Sequence, residues 1–143
     1  MAEIVHKISI KAPPASVYEA LATADGIARW WTTVTKGDST PGKTLTMSFG
    51  PNDALMRIEA LEPGKRVAWE GVTSPQDWIG TKVTFDLMPD GENTTLRFAH
   101  RGWNAERSEF MSHCSMQWAI FLLSLRELVE TGKGRPFPHY IAA

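Results

Sequence analysis

Few side chains in this sequence combine a reactive type with a setting that lets them react. His113 and Cys114 are adjacent, but neighbours on a helix point about 100° apart, so the two do not form a nucleophile and base by proximity. Cys114 also falls on an apolar stripe, where a cysteine behaves as a small inert hydrophobe. Four scattered histidines and one cysteine show no metal-ligand spacing, so no metal and no other cofactor is expected. Glu106, Glu109, Glu127 and Glu130 lie mostly on the polar side of a helical pattern and read as a solvated face. His100 and Gln117 remain. A buried polar group demands a partner, and pockets use a few such groups to orient a ligand, so these two are the candidate polar contacts. His100 would also be the acid or base of a cyclase- or hydrolase-like reaction, if one were catalysed.

Six Trp and six Phe are a large supply of rings for 143 residues. Aromatic side chains build cores and also line apolar pockets. Phe49, Trp69, Phe85, Phe98, Trp118 and Phe121 are the candidate walls of a cavity, with Trp30 at an entrance. Their contribution is shape and desolvation, about 1.5–3 kcal/mol for each apolar side chain that leaves water. His6 stands on the apolar side of an alternating run and reads as a core or rim histidine rather than a ligand.

A long helix must carry Gln117, Trp118 and Phe121. Residues 106–131 lack Gly and Pro, and Phe110, Cys114, Trp118, Phe121, Leu125 and Leu128 recur at steps of three and four, the spacing of one helical face. Its start is expected between Asn104 and Ser108, either of which could cap it, and Gly132 is expected to end it, with Pro136 and Pro138 preventing resumption. Its partner surface has to come from the middle of the chain, where the apolar period changes from helical to alternating. Residues 3–11 form a first strand, with Ile4, His6, Ile8 and Ile10 on one face. Pro13 and Pro14 open a short helix buried through Val17 and Leu21, and 23–31 form a second. Polar residues 32–43 read as an exposed loop. Alternating runs then follow around Leu45–Phe49, 55–61, 66–72, 79–88 and 94–101, separated by turns short enough for antiparallel neighbours. The order predicts an α+β domain spanning 1–143, a curved antiparallel sheet of about six strands against a long C-terminal helix.

Composition narrows the partners. Fifteen basic against sixteen acidic residues leave a net charge of −1, which gives no attraction to phosphate backbones, so nucleic acid is not expected. The longest apolar run, 118–123, is too short to span a bilayer, and no apolar signal region opens the chain; with one cysteine this points to the cytoplasm.

Five stretches together resemble the START-like superfamily: IKAPPASVYEAL at 10–21, DGIARWW at 25–31, PGKR at 63–66, LRFAHRGW at 96–103 and FLLSLRELVETGKGRPFP at 121–138. More narrowly, the chain resembles bacterial proteins similar to the C-terminal domain of the activator of heat-shock-protein-90 ATPase. That resemblance implies the helix-grip fold, in which the sheet wraps the C-terminal helix around an elongated, mainly apolar cavity. It also implies a small hydrophobic ligand such as a lipid, polyketide or aromatic metabolite, in a monomer or homodimer. The alternatives are an enzyme using the same cavity and a chaperone-interacting module, the latter favoured by an exposed apolar patch at Trp31 or Trp103.

Overall fold

The computed structural model describes residues 2–103 and 108–142. Strands β1 (Ala2–Ile10), β2 (Val34–Gly37), β3 (Thr44–Phe49), β4 (Asn52–Glu62), β5 (Arg66–Gly71), β6 (Lys82–Asp90) and β7 (Asn93–Trp103) form one sheet in the order β1-β7-β6-β5-β4-β3-β2, every pair antiparallel. Helices α1 (Pro14–Ala22) and α2 (Ala24–Ala28) follow β1, and α3 (Glu109–Thr131) follows β7. The predicted class and layout therefore hold, with one strand more than expected. The extra strand corrects the reading of 32–43 as a loop. β2 pairs with β3 from Val34↔Ser48 to Gly37↔Leu45, yet its four residues, VTKG, are mostly exposed and carry no apolar alternation. An edge strand that buries nothing leaves no period to read.

Cap chemistry sets the ends of α3. The Ser108 hydroxyl accepts from the Met111 N–H at 2.9 Å. At the far end Gly132 takes φ 91°, and its N–H bonds to the Leu128 carbonyl at 2.8 Å. Asn104 and Glu106, the other residues assigned to the helix start, lie outside the described residues.

Alternation along the strands sends Ile4, Leu45, Met47, Met56, Ile58, Trp69, Val83, Phe85, Leu96 and Phe98 to one buried face, closed over by Cys114, Trp118, Phe121, Leu125 and Leu128 of α3. Val17 and Leu21 of α1 join the same core. The chain after α3 folds back beside α2. Arg135 donates its N–H to the Ser124 hydroxyl at 2.7 Å, and that hydroxyl donates to the Trp30 carbonyl at 2.8 Å. Phe137 then bonds through its N–H to the Trp31 carbonyl at 2.8 Å and accepts from the Thr33 N–H at 3.1 Å. No helix among the described residues is long and apolar enough to cross a membrane.

Candidate functional site

Between the first half of α3, the β3–β4 turn and the segment after β5 lies a cleft of about 610 Å³. That volume is in the range of small-molecule sites. Phe110, His113, Cys114, Gln117, Trp118 and Phe121 line it from the helix; Phe49 and 51–54 from the turn; Ser74, Pro75 and Trp78 from the segment, and Trp31 from behind α2. Pro51, Asn52 and Asp53 are exposed, so the cleft opens to solvent at the turn.

Hydrogen bonds fix the segment that carries Trp78. The Leu55 N–H bonds to the Ser74 carbonyl at 3.0 Å, and the Ser74 hydroxyl donates to the Asp53 carbonyl at 2.5 Å. Residues 76–78 make a single 3-10 turn. Gly71 lets the turn lie against β5: a Cβ there would sit 2.1 Å from the Trp78 carbonyl oxygen.

The rings are organised as a cluster of nearly parallel indoles. Trp31 and Trp118 have centroids 4.9 Å apart at 30°, Trp31 and Trp78 6.3 Å at 14°, and Trp78 and Trp118 5.9 Å at 17°. Trp69 stacks on Trp31 at 5.7 Å and 12° from the sheet side. The space between sheet and helix is thus divided: its inner part is filled with aromatic core, and the outer part is hollow.

That division sorts the nine candidates. Phe49, Gln117, Trp118 and Phe121 line the cleft. Trp69, Phe85 and Phe98 do not; they are fully buried behind it, with Phe98 4.6 Å from Trp118. Trp30 corrects the expectation of an entrance residue. It is fully buried, its indole N–H bonded to the Ala20 carbonyl at 2.8 Å and its face 6.0 Å from Trp31. His100 is also fully buried and outside the lining. Trp118 donates its indole N–H to His100 Nδ1 at 3.2 Å, so the imidazole hydrogen resides on Nε2, facing the Thr81 hydroxyl at 2.8 Å. Thr81 in turn donates to the Trp78 carbonyl at 2.6 Å. Burial pushes the His100 pKa down to about 3. A neutral imidazole with both nitrogens engaged and no face on the cleft is a tie between α3 and the Trp78 turn, not an acid or base for a ligand there.

The sequence reading assigned neither Trp78 nor Phe110 to the cavity, weighed Trp31 as an exposed patch, and set His113 and Cys114 aside as a reactive pair; all five line the cleft. Trp78 follows a polar, proline-containing loop with no period, so no pattern in the sequence marked it. Burial raises the Cys114 thiol pKa to about 11, with Asp77 adding to the rise and the Trp78 side chain opposing it. That thiol is no nucleophile at neutral pH. Trp31 and Trp103, whose exposure would have favoured a docking surface, are both buried. Among the described residues no group of acidic, histidine or cysteine side chains is gathered for a metal.

Residues 11–130 match the family model described as Activator of Hsp90 ATPase homolog 1-like protein. No curated protein matches the chain. Among solved structures, the Aha1 dimer from Colwellia psychrerythraea is 38% identical with a TM-score of 0.86, covering 94% of this chain and 100% of that one. A Mesorhizobium loti protein is 23% identical with a TM-score of 0.76, covering 90% of this chain and 96% of its own. DynU16, a protein of the dynemicin biosynthetic locus, is 21% identical with a TM-score of 0.75, covering 92% of this chain and 48% of its own. The last two likenesses are of fold.

Proposed function

The chain belongs to the Activator of Hsp90 ATPase homolog 1-like family, and from that premise we propose that it binds a small hydrophobic molecule in the cleft beside α3. The observation that carries the reading is the cleft of about 610 Å³ walled by Trp31, Phe49, Trp78, Trp118 and Phe121. A ligand there would exchange water for ring faces, the exchange that drives apolar binding. Native mass spectrometry of gently purified protein, followed by solvent extraction, tests it. A stoichiometric apolar metabolite is the expected result. Protein that carries nothing and rejects a panel of lipids and aromatic metabolites would end the reading.

A second reading, action on a chaperone, is favoured by the Aha1 description of the Colwellia relative. Burial of Trp31 and Trp103 removes the apolar surface that would have supported it. Stimulation of Hsp90 ATPase by the purified chain would support that reading, and an unchanged rate would dispose of it. Light scattering in line with gel filtration tests whether the chain pairs as that relative does.

A further inference from the structure

Seven large apolar side chains among the described residues stand out into solvent. Four of them, Val5, Val34, Ile79 and Met88, sit on β1, β2, the end of the Trp78 turn and β6, one to each. The other three gather on one side of the molecule: Met116 is 56% exposed, Leu123 49% and Ile141 63%. Met116, Ile120 and Leu123 follow at steps of four and three, a stripe on the outward face of α3 about a third of a turn round from Gln117 and Phe121 on the cleft side. The tail brings Ile141 to this stripe. Ile120, Leu123 and Ile141 line a groove of about 450 Å³, rimmed by Arg126, Glu127, Glu130 and Arg135. Single exposed apolar side chains are ordinary, whereas a stripe beside a groove marks a contact surface.

The rim decides the occupant. Two basic and two acidic side chains surround the apolar floor, and Glu127 Oε1 accepts from Arg135 Nε at 3.0 Å. A rim of one sign would repel its own copy and draw a partner of the opposite charge; a balanced one does neither, so it can face itself across a two-fold axis. An axis near Ile120 lays α3 antiparallel on its copy, with Met116 of one protomer beside the partner's Leu123. Size sets the strength. α3 is about 35 Å long and about 10 Å across, and the tail widens that face over about half its length, so about 500 Å² would be covered on each protomer. That falls short of the about 800 Å² per partner of a standard interface and suits a reversible pair.

We propose that the chain pairs with a second copy of itself through the outward face of α3 and the tail beside it. This goes beyond the ligand reading and does not depend on it. Sedimentation equilibrium of the full chain, from about 1 to about 500 µM, tests it. The expected result is an average mass that rises with concentration from 15.9 kDa towards twice that value. Leu123→Glu and Ile141→Glu should each weaken pairing at least about tenfold, because the two-fold axis brings every new charge into the interface twice. Val5→Glu, on β1, should leave pairing unchanged. A mass of one chain throughout overturns the inference, whether or not that monomer binds phosphatidylcholine vesicles through Leu123. Pairing that survives both α3-side variants, or that Val5→Glu abolishes, puts the interface elsewhere and overturns it as well. Ile141 lies in the exposed tail and the mass of the unaltered chain needs no variant, so the test stands even if Leu123→Glu fails to fold.

Discussion

Trp118 donates its indole N–H to Nδ1 of His100 at 3.2 Å, and this bond joins a wall of the cleft to a buried imidazole that must stay neutral. A protonated ring carries hydrogens on both nitrogens, so protonation would turn the acceptor of that bond into a second donor.

Acid should therefore weaken the fold through His100. Its pKa falls from 6.5 to about 3 on folding, so between those values the unfolded chain holds a proton that the folded one does not. Stability rises with pH across that window; the contribution is complete above 6.5 and is lost progressively as pH falls to about 3. The slope is about 1.4 kcal/mol per pH unit. Urea unfolding at pH 6.0 and 4.5 should show the wild type losing about 2 kcal/mol more than His100→Gln. Parallel losses would mean that the imidazole is not held neutral.

Gly71 should be intolerant of a side chain. An added Cβ would meet backbone, 2.1 Å from the Trp78 oxygen and 2.8 Å from its carbonyl carbon, so no rotamer change relieves it. Thr81 and the Gly80 N–H, which bonds to the Gly71 carbonyl at 2.8 Å, hold the turn in place. Gly71→Ala is expected to cost about 1–3 kcal/mol by overpacking and to weaken aromatic ligands by displacing Trp78. Urea midpoints with a titration of an aromatic ligand of the cleft check both, and wild-type behaviour in each would show that the turn yields freely.

Ser124 should be what docks the chain end. Ser124→Ala leaves the Trp30 carbonyl and the Arg135 N–H without this hydroxyl, at a cost of about 1–3 kcal/mol. Amide exchange at Phe137, whose N–H bonds to the Trp31 carbonyl, should quicken more than exchange in the β6–β7 pair. If Phe137 keeps its protection, the edge-to-face contact of its ring with Phe49 and its tilted contact with Tyr140 suffice to hold the tail.

Periodicity made most of this architecture legible. The step of three and four through Cys114, Trp118 and Phe121, and the alternation through Val83, Phe85, Leu96 and Phe98, put the helix on the right sheet face. Periodicity says which side is buried, and nothing about whether a buried ring meets another ring or a void. Phe85 and Phe121 each fall on the buried side of their own element's period, yet Phe85 is core and Phe121 is cleft wall, because the wall is set by where the Trp78 turn, between β5 and β6, lies against α3. That placement depends on Gly71, whose role is a distance across the fold rather than a pattern along the chain. Trp30 and Trp31 are adjacent, and which of them faces the cleft follows from the end of α2, beyond what a one-residue difference in sequence can tell.

Cys114 gives the last test, because it lines the cleft and yet is shielded. It is 4% exposed, and its thiol pKa is raised from 9.0 to about 11, first by burial. The thiolate is what attacks a disulfide reagent, and at pH 8 a two-unit rise leaves about a hundredfold less of it. A thiolate of higher pKa is also the better nucleophile, which offsets part of that loss, so with its burial the folded thiol should react with dithiobis(nitrobenzoate) at least about tenfold more slowly than the chain in urea. Saturation with an apolar ligand of the cleft should slow it further, since the reagent and the ligand approach through the same opening. Reaction at the unfolded rate would place the thiol in water, and so contradict the packing of α3 against the Trp78 turn. Slow reaction that the ligand leaves unchanged would keep the packing and put the bound ligand away from Cys114, towards the Phe49 end of the cleft.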